Sequence, residues 1–129
     1  MADVNRGNRP LSPFMIGPYY RPQITSISSI MVRITGIACF GFAFLIVCWL
    51  LAAASSEAAF SWVNWLLTSW IGDLLMLLAA WCIWYHVLGR IRHVIWDFGY
   101  NLDVETSRIM ALIMFGGATV LALFTVLVV

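Results

Sequence analysis

Three runs of this sequence, near 28–54, 65–89 and 108–129, are long, apolar and almost free of charge. Each reaches the about 20 residues that a helix needs to cross the hydrocarbon core of a bilayer. With no water there to satisfy N–H and C=O groups, such runs must close their hydrogen bonds within themselves. The expected fold class is therefore all-α, an integral membrane protein with three transmembrane helices. Residues 1–22 form a tail and residues 23–129 one membrane domain. With 63% hydrophobic and only 10% charged residues, a chain of 129 residues has too little polar surface for a soluble domain.

The charges set an orientation. All seven basic residues are arginines, and none lies between Leu51 and Leu88. Arg6, Arg9, Arg21 and Arg33 mark the amino-terminal side, and Arg90, Arg92 and Arg108 mark the second connection. Cationic loops stay on the cytoplasmic side, so the amino terminus is expected to be cytoplasmic and the carboxyl terminus periplasmic. Pro10, Pro13, Pro18 and Pro22 break the first residues into a short extended tail. That stretch lacks the apolar run of a secretory signal and the amphipathic helix of a transit peptide, which favours the inner membrane of a bacterium.

Most of the unusual chemistry lies at the end of the second apolar run. On a helix advancing about 100° per residue, Arg90, His93 and Asp97 fall within about 40° of His86 on one stripe. Val87, Leu88, Ile91 and Ile95 occupy the other face, fit for lipid or an apolar neighbour. A histidine within an apolar run, with Arg90 and Arg92 beyond it, suits an anionic cofactor. It equally suits a satisfied histidine packed on a neighbouring helix, although ionisable groups at membrane depth are functional by default.

The first run begins after Pro22, with Thr25, Ser29 and Arg33 sharing a face. Ser29 and Arg33, one turn apart, form a polar notch able to hold a carbonyl oxygen; the alternative is an arginine that snorkels to the interface. Gly36 and Gly41 leave room for a helix or flat ring. Cys39, Cys48 and Cys82 lack metal-ligand spacing. Glu57 reads as a solvated turn residue, and Trp62, Trp65 and Trp70 as an interfacial belt. Asp73 reads as packing between helices. Gly99 and Asn101 end the second helix, and Thr106 or Ser107 caps the third.

Two motifs carry a family resemblance. Arg9-Pro10-Leu11-Ser12-Pro13 followed by Ile24-Thr25-Ser26-Ile27-Ser28-Ser29-Ile30-Met31-Val32-Arg33-Ile34-Thr35-Gly36 resembles the first signature of the larger membrane anchors of succinate dehydrogenase. Tyr85-His86, then Arg92-His93-Val94-Ile95-Trp96-Asp97, resembles the second. The resemblance implies a respiratory complex of four subunits. These are a flavoprotein carrying FAD, an iron–sulfur protein with its clusters, this anchor and a second, smaller anchor that completes the helical bundle. It implies haem b, with His86 as axial ligand of the iron opposite a histidine of the smaller anchor. It implies ubiquinone as electron acceptor, held by Ser29 and Arg33 with Ile30 along the ring.

His86 and His93 lie seven residues, about 10 Å, apart on one helix. Two imidazoles on one iron bring their nitrogens within about 4 Å, so this chain supplies one ligand only. Arg33, Arg90 and His93 are expected around the haem propionates. Two positions depart from the family pattern. Val32 stands where a histidine near a propionate is usual, and Arg90 stands four residues after the ligand, where glycine is common. Arg90, on the ligand's stripe, is expected to replace the contact that Val32 removes. The same residues also fit an anchor working toward fumarate reduction. A different class, a scaffold or proton-pathway subunit without redox chemistry, would use His86 and Asp73 as a relay.

Overall fold

The computed structural model describes Phe14, Ile16, Gly17 and residues 19–128. Arg6 and the Arg9-Pro10-Leu11-Ser12-Pro13 motif lie outside the described residues. After an isolated bridge between Ile16 and Tyr20, the chain is helical: α1 (Ile24–Ser55), α2 (Glu57–Leu67), α3 (Trp70–Asp97) and α4 (Val104–Val128). Helices α1, α3 and α4 are long and apolar enough to cross a membrane. With 32 residues, α1 is roughly 48 Å long at about 1.5 Å per residue. That exceeds the about 30 Å of hydrocarbon, so its ends extend into the interfaces or the helix tilts.

The first connection differs from expectation. Glu57 is not in a turn but in the first turn of α2, an 11-residue helix. Ser56 makes the break: it is extended, ends α1, and accepts the Ala59 N–H at 3.2 Å on its hydroxyl. Trp65 consequently belongs to α2 rather than to the second span. Trp62, Trp65 and Trp70 are all exposed. Ser69 caps α3 by accepting from Gly72 N at 3.3 Å. Asp73 lies exposed in the first turn of α3 instead of packing between helices of this chain. A carboxylate there meets the positive end of the helix dipole.

The other end of α3 closes as a Schellman motif. Tyr100 N donates to Ile95 O at 3.2 Å and Gly99 N to Trp96 O at 2.8 Å, with Gly99 at φ 78° supplying the left-handed residue that the motif requires. Asn101 is also left-handed, at φ 56°. The cap of α4 is neither Thr106 nor Ser107 but Asp103, whose Oδ2 accepts the Thr106 N–H at 2.8 Å. The Thr106 hydroxyl and N–H together hold the Asp103 carboxyl below its ordinary range.

The core lies between α1, α3 and α4, with Val32, Tyr85, Met114 and Ala118 buried at its centre. Helix α4 presents small residues, Ala111, Ala118 and Ala122, which let α3 approach closely. Two indoles tie these helices together: Trp84 Nε1 donates to Thr125 at 2.9 Å and Trp81 Nε1 to Thr119 at 3.1 Å. Gly89 leaves room for Val32 of α1, since a Cβ there would lie 2.5 Å from Val32 Cγ2. Large apolar side chains cover the outside, as lipid contact demands.

Candidate functional site

Between α1 and α3 lies a cavity of about 630 Å³ lined by Ser29, Val32, Arg33, Gly36, Ile37, Phe40, His86, Arg90 and His93. Ile37 and Phe40 are 75% and 79% exposed, so the cavity is open on one side to whatever packs against this face. Five predicted residues, Ser29, Arg33, His86, Arg90 and His93, therefore meet in one place. Ile30 does not join them. It is 53% exposed and outside the lining, as is Ile34 at 51%, because both point to a different side of α1. Asp97 shares the stripe in projection, but is exposed and outside the lining.

His86 is held from two sides. Its Nδ1 lies 3.0 Å from Val32 O on α1. A carbonyl only accepts, so Nδ1 carries the proton. Nε2 then keeps its lone pair and accepts from Arg90 Nε at 3.2 Å. A backbone carbonyl on one ring nitrogen is the usual device for fixing the tautomer and orientation of a metal-ligating imidazole. Gly36 makes room for the ring: a Cβ there would lie 2.8 Å from His86 Cε1. Gly41, its apparent twin in sequence, faces open space.

His93 offers a similar tautomer, with Nδ1 bonded to Gly89 O at 2.7 Å, but that carbonyl belongs to its own helix. It also lies one turn from the end of α3, whereas His86 lies seven residues deeper among apolar groups. His86 thus lies deeper along α3 than Arg90 and His93, which line the same cavity together with Arg33. The residues present thus fit a haem: one neutral imidazole, a glycine against it and cations toward the membrane surface. No group of three His, Cys, Asp or Glu that could hold a bare metal ion is found among the described residues.

Val32 departs from the expected pattern in a specific way. Its side chain is only 4% exposed, within the core, while its carbonyl carries the His86 bond. Arg90 reaches His86 itself.

Sequence reasoning missed a second polar group behind the cavity. Arg92 is only 2% exposed and donates from Nη1 to Ser28 Oγ at 2.9 Å. The Tyr85 hydroxyl bonds Ser28 Oγ at 3.1 Å and Ser28 O at 3.3 Å. Arg92 also stacks over Trp96, 4.6 Å from the ring centroid. The available signal was spacing: Tyr85, Gly89 and Arg92 follow at four and three residues, the stripe that packs inward.

Comparisons with known proteins identify the family. Residues 5–126 match the family described as succinate dehydrogenase/fumarate reductase transmembrane subunit. The chain is 43% identical to the succinate dehydrogenase cytochrome b556 subunit of Paracoccus denitrificans, covering 99% of this chain and 97% of that one. It is 33% identical to the cytochrome b560 subunit of Reclinomonas americana, over 84% of this chain and 78% of the relative. The cytochrome b556 subunit of Rickettsia prowazekii is also 33% identical, over 78% and 77%. Matched by the family model over nearly its whole length and by a full-length relative at 43% identity, the chain belongs to the succinate dehydrogenase/fumarate reductase transmembrane subunit family.

Proposed function

We propose that this chain anchors a bacterial succinate dehydrogenase in the inner membrane, contributes one histidine ligand to haem b, and forms part of the site where ubiquinone is reduced. The observation that carries the reading is the His86 ring, oriented by Val32 O and directing its Nε2 into a cavity bordered by Arg33, Arg90 and His93. The arginine-bearing end then faces the cytoplasm, where the flavoprotein and iron–sulfur subunits dock, and the carboxyl terminus faces the periplasm. The open side of the cavity receives the smaller anchor with the second ligand.

Haem, when bound, would supply a one-electron centre; His86 would hold it through Nε2, and Arg33, Arg90 and His93 would be the groups available to its propionates. Ser29 and Arg33 act on the quinone. As electrons arrive from the iron–sulfur subunit, the carbonyl oxygens of the quinone become more basic. The Ser29 hydroxyl donates a hydrogen bond to one of them, and the Arg33 guanidinium stabilises the developing negative charge. Because Ile30 lies outside the cavity on the exposed side of α1, it meets the quinone only through a surface shared with a partner. A proton relay from Asp73 to His86 has less support: the two are thirteen residues, about 20 Å, apart along α3.

The test is the spectrum of two variants in the assembled complex. His86→Ala loses the low-spin haem b signal, whereas His93→Ala keeps it with an altered carboxylate environment. The reverse pattern reassigns the ligand.

A further inference from the structure

We propose that Arg92 is a positioning residue: through Ser28 it fixes α1 against α3, and so sets the placement of the Ser29–Arg33 notch relative to His86. The inference rests on the reading of Ser29 and Arg33 as quinone-binding. Arg92 is the bulkiest of the fully buried side chains among the described residues, and its Nε and Nη2 have no acceptor. A charge held this way is poor packing, since an apolar side chain of similar volume fills such a space without the desolvation penalty. What Arg92 does make is specific: one short bond to Ser28 Oγ and a stack on Trp96.

Ser28 is the point where three groups meet. Its hydroxyl takes Arg92 Nη1 at 2.9 Å and the Tyr85 hydroxyl at 3.1 Å, and it lies 3.7 Å from Met114 Sδ on α4. Ser28 is the immediate neighbour of Ser29, and one helical turn before Val32, whose carbonyl orients His86. Tyr85 is likewise the immediate neighbour of His86. Two α3–α1 grips thus stand one turn apart: Tyr85 and Arg92 on Ser28, and His86 on Val32. Sliding or rotating α1 at Ser28 carries Ser29 with it and pulls Val32 O away from the imidazole. Catalytic geometry tolerates only about 0.5 Å of such error.

The experiment uses the complete membrane-bound complex with Ser28→Ala, Ser28→Thr and Arg92→Lys. Ser28→Ala removes the shared acceptor at little cost in volume, Ser28→Thr retains a hydroxyl, and Arg92→Lys keeps the charge without the forked donor. With the whole of one such bond coupled to the notch, its loss corresponds to about a fivefold weakening of quinone binding. In Ser28→Ala and Arg92→Lys, the KM for quinone therefore rises by about that factor, while succinate oxidation by a dye at the soluble subunits is unchanged. The electron paramagnetic resonance g-values of the oxidised haem shift in the same variants, reporting a turned imidazole. Ser28→Thr restores both. A purely structural role would lower the yield of assembled complex without moving KM or g-values in what assembles. Wild-type values of both in assembled Ser28→Ala overturn the proposal; if Arg92→Lys does not assemble, the Ser28 pair decides alone. If Ser29→Ala itself leaves quinone turnover intact, the quinone reading fails. The g-values still test the grip on His86.

Discussion

Replacing Gly36 with alanine tests whether the His86 ring stands where the structure puts it. The added Cβ would lie 2.8 Å from His86 Cε1 and 3.3 Å from Nδ1. Regaining ordinary carbon contact of about 3.5–4.0 Å from 2.8 Å requires the ring or the helix to move by about 0.7–1.2 Å. The ring cannot swing away freely, because Val32 O holds its Nδ1 at 3.0 Å. A shift of that size stretches the bond beyond the about 3.5 Å at which it ceases to count. Overpacking costs roughly 1–3 kcal/mol, against a gain of about 0.5–1 kcal/mol from replacing glycine within a helix. Losing the group that orients a ligand typically lowers affinity about tenfold to a hundredfold. The Gly36→Ala complex is therefore expected to carry much less haem, measured as the reduced-minus-oxidised spectrum per mole of complex, with altered g-values in the remainder. Gly41→Ala is the control: nothing lies within 4 Å of its Cβ, so haem content stays normal. Full haem with unshifted g-values in Gly36→Ala would refute the placement of the ring, and equal damage from Gly41→Ala would refute the steric reasoning.

Ser29→Ala and Arg33→Leu are expected to slow succinate-to-quinone turnover strongly, Arg33→Leu more so, while dye-linked succinate oxidation persists; the Ser29→Ala loss stays below the roughly 10²–10³-fold typical of an enclosed donor, because Arg33 is exposed and the cavity open. Arg90→Leu removes the donor on His86 Nε2 and one cation from the cavity. Haem is retained, but its midpoint potential, read by redox titration, falls by on the order of tens of millivolts, as expected for losing one nearby cation at an open site. The Asp103 cap depends on pH. Because hydrogen bonds from Thr106 depress the folded-state pKa, its contribution is present above the ordinary carboxylate pKa and lost as pH falls through the lower folded value. Amide exchange in the first turn of α4, corrected for its intrinsic pH dependence, accelerates over that window and in Asp103→Ala at neutral pH, but not in Asp103→Asn.

Much of the candidate site is legible from helical period alone. His86, Arg90 and His93 fall on one stripe because a helix returns to the same face after four and seven residues. Ser29 and Arg33 share a face for the same reason. The structure places both sets around one cavity. The same arithmetic also put Asp97 on the stripe, and there it misled: Asp97 is the last residue of α3, exposed and outside the cavity lining. Ile30 shows the converse, being adjacent to Ser29 in sequence and about 100° away around the helix.

What the sequence by itself determined is the number of spans, the all-helical class, the end that carries the arginines and the residues able to do chemistry there. These follow from local properties: hydropathy over about 20 residues, hydrogen bonds closed within each helix, and the fixed turn per residue. Only the tertiary structure decided which face of each helix meets protein. In water, an amphipathic pattern distinguishes the two faces. In a membrane, lipid is as apolar as the core, so hydropathy does not separate them. That is why Gly36 and Gly41 look alike in sequence yet differ in space. It is also why Arg92, two residues from Arg90, lies buried against Ser28 and Tyr85 while Arg90 reaches into the cavity.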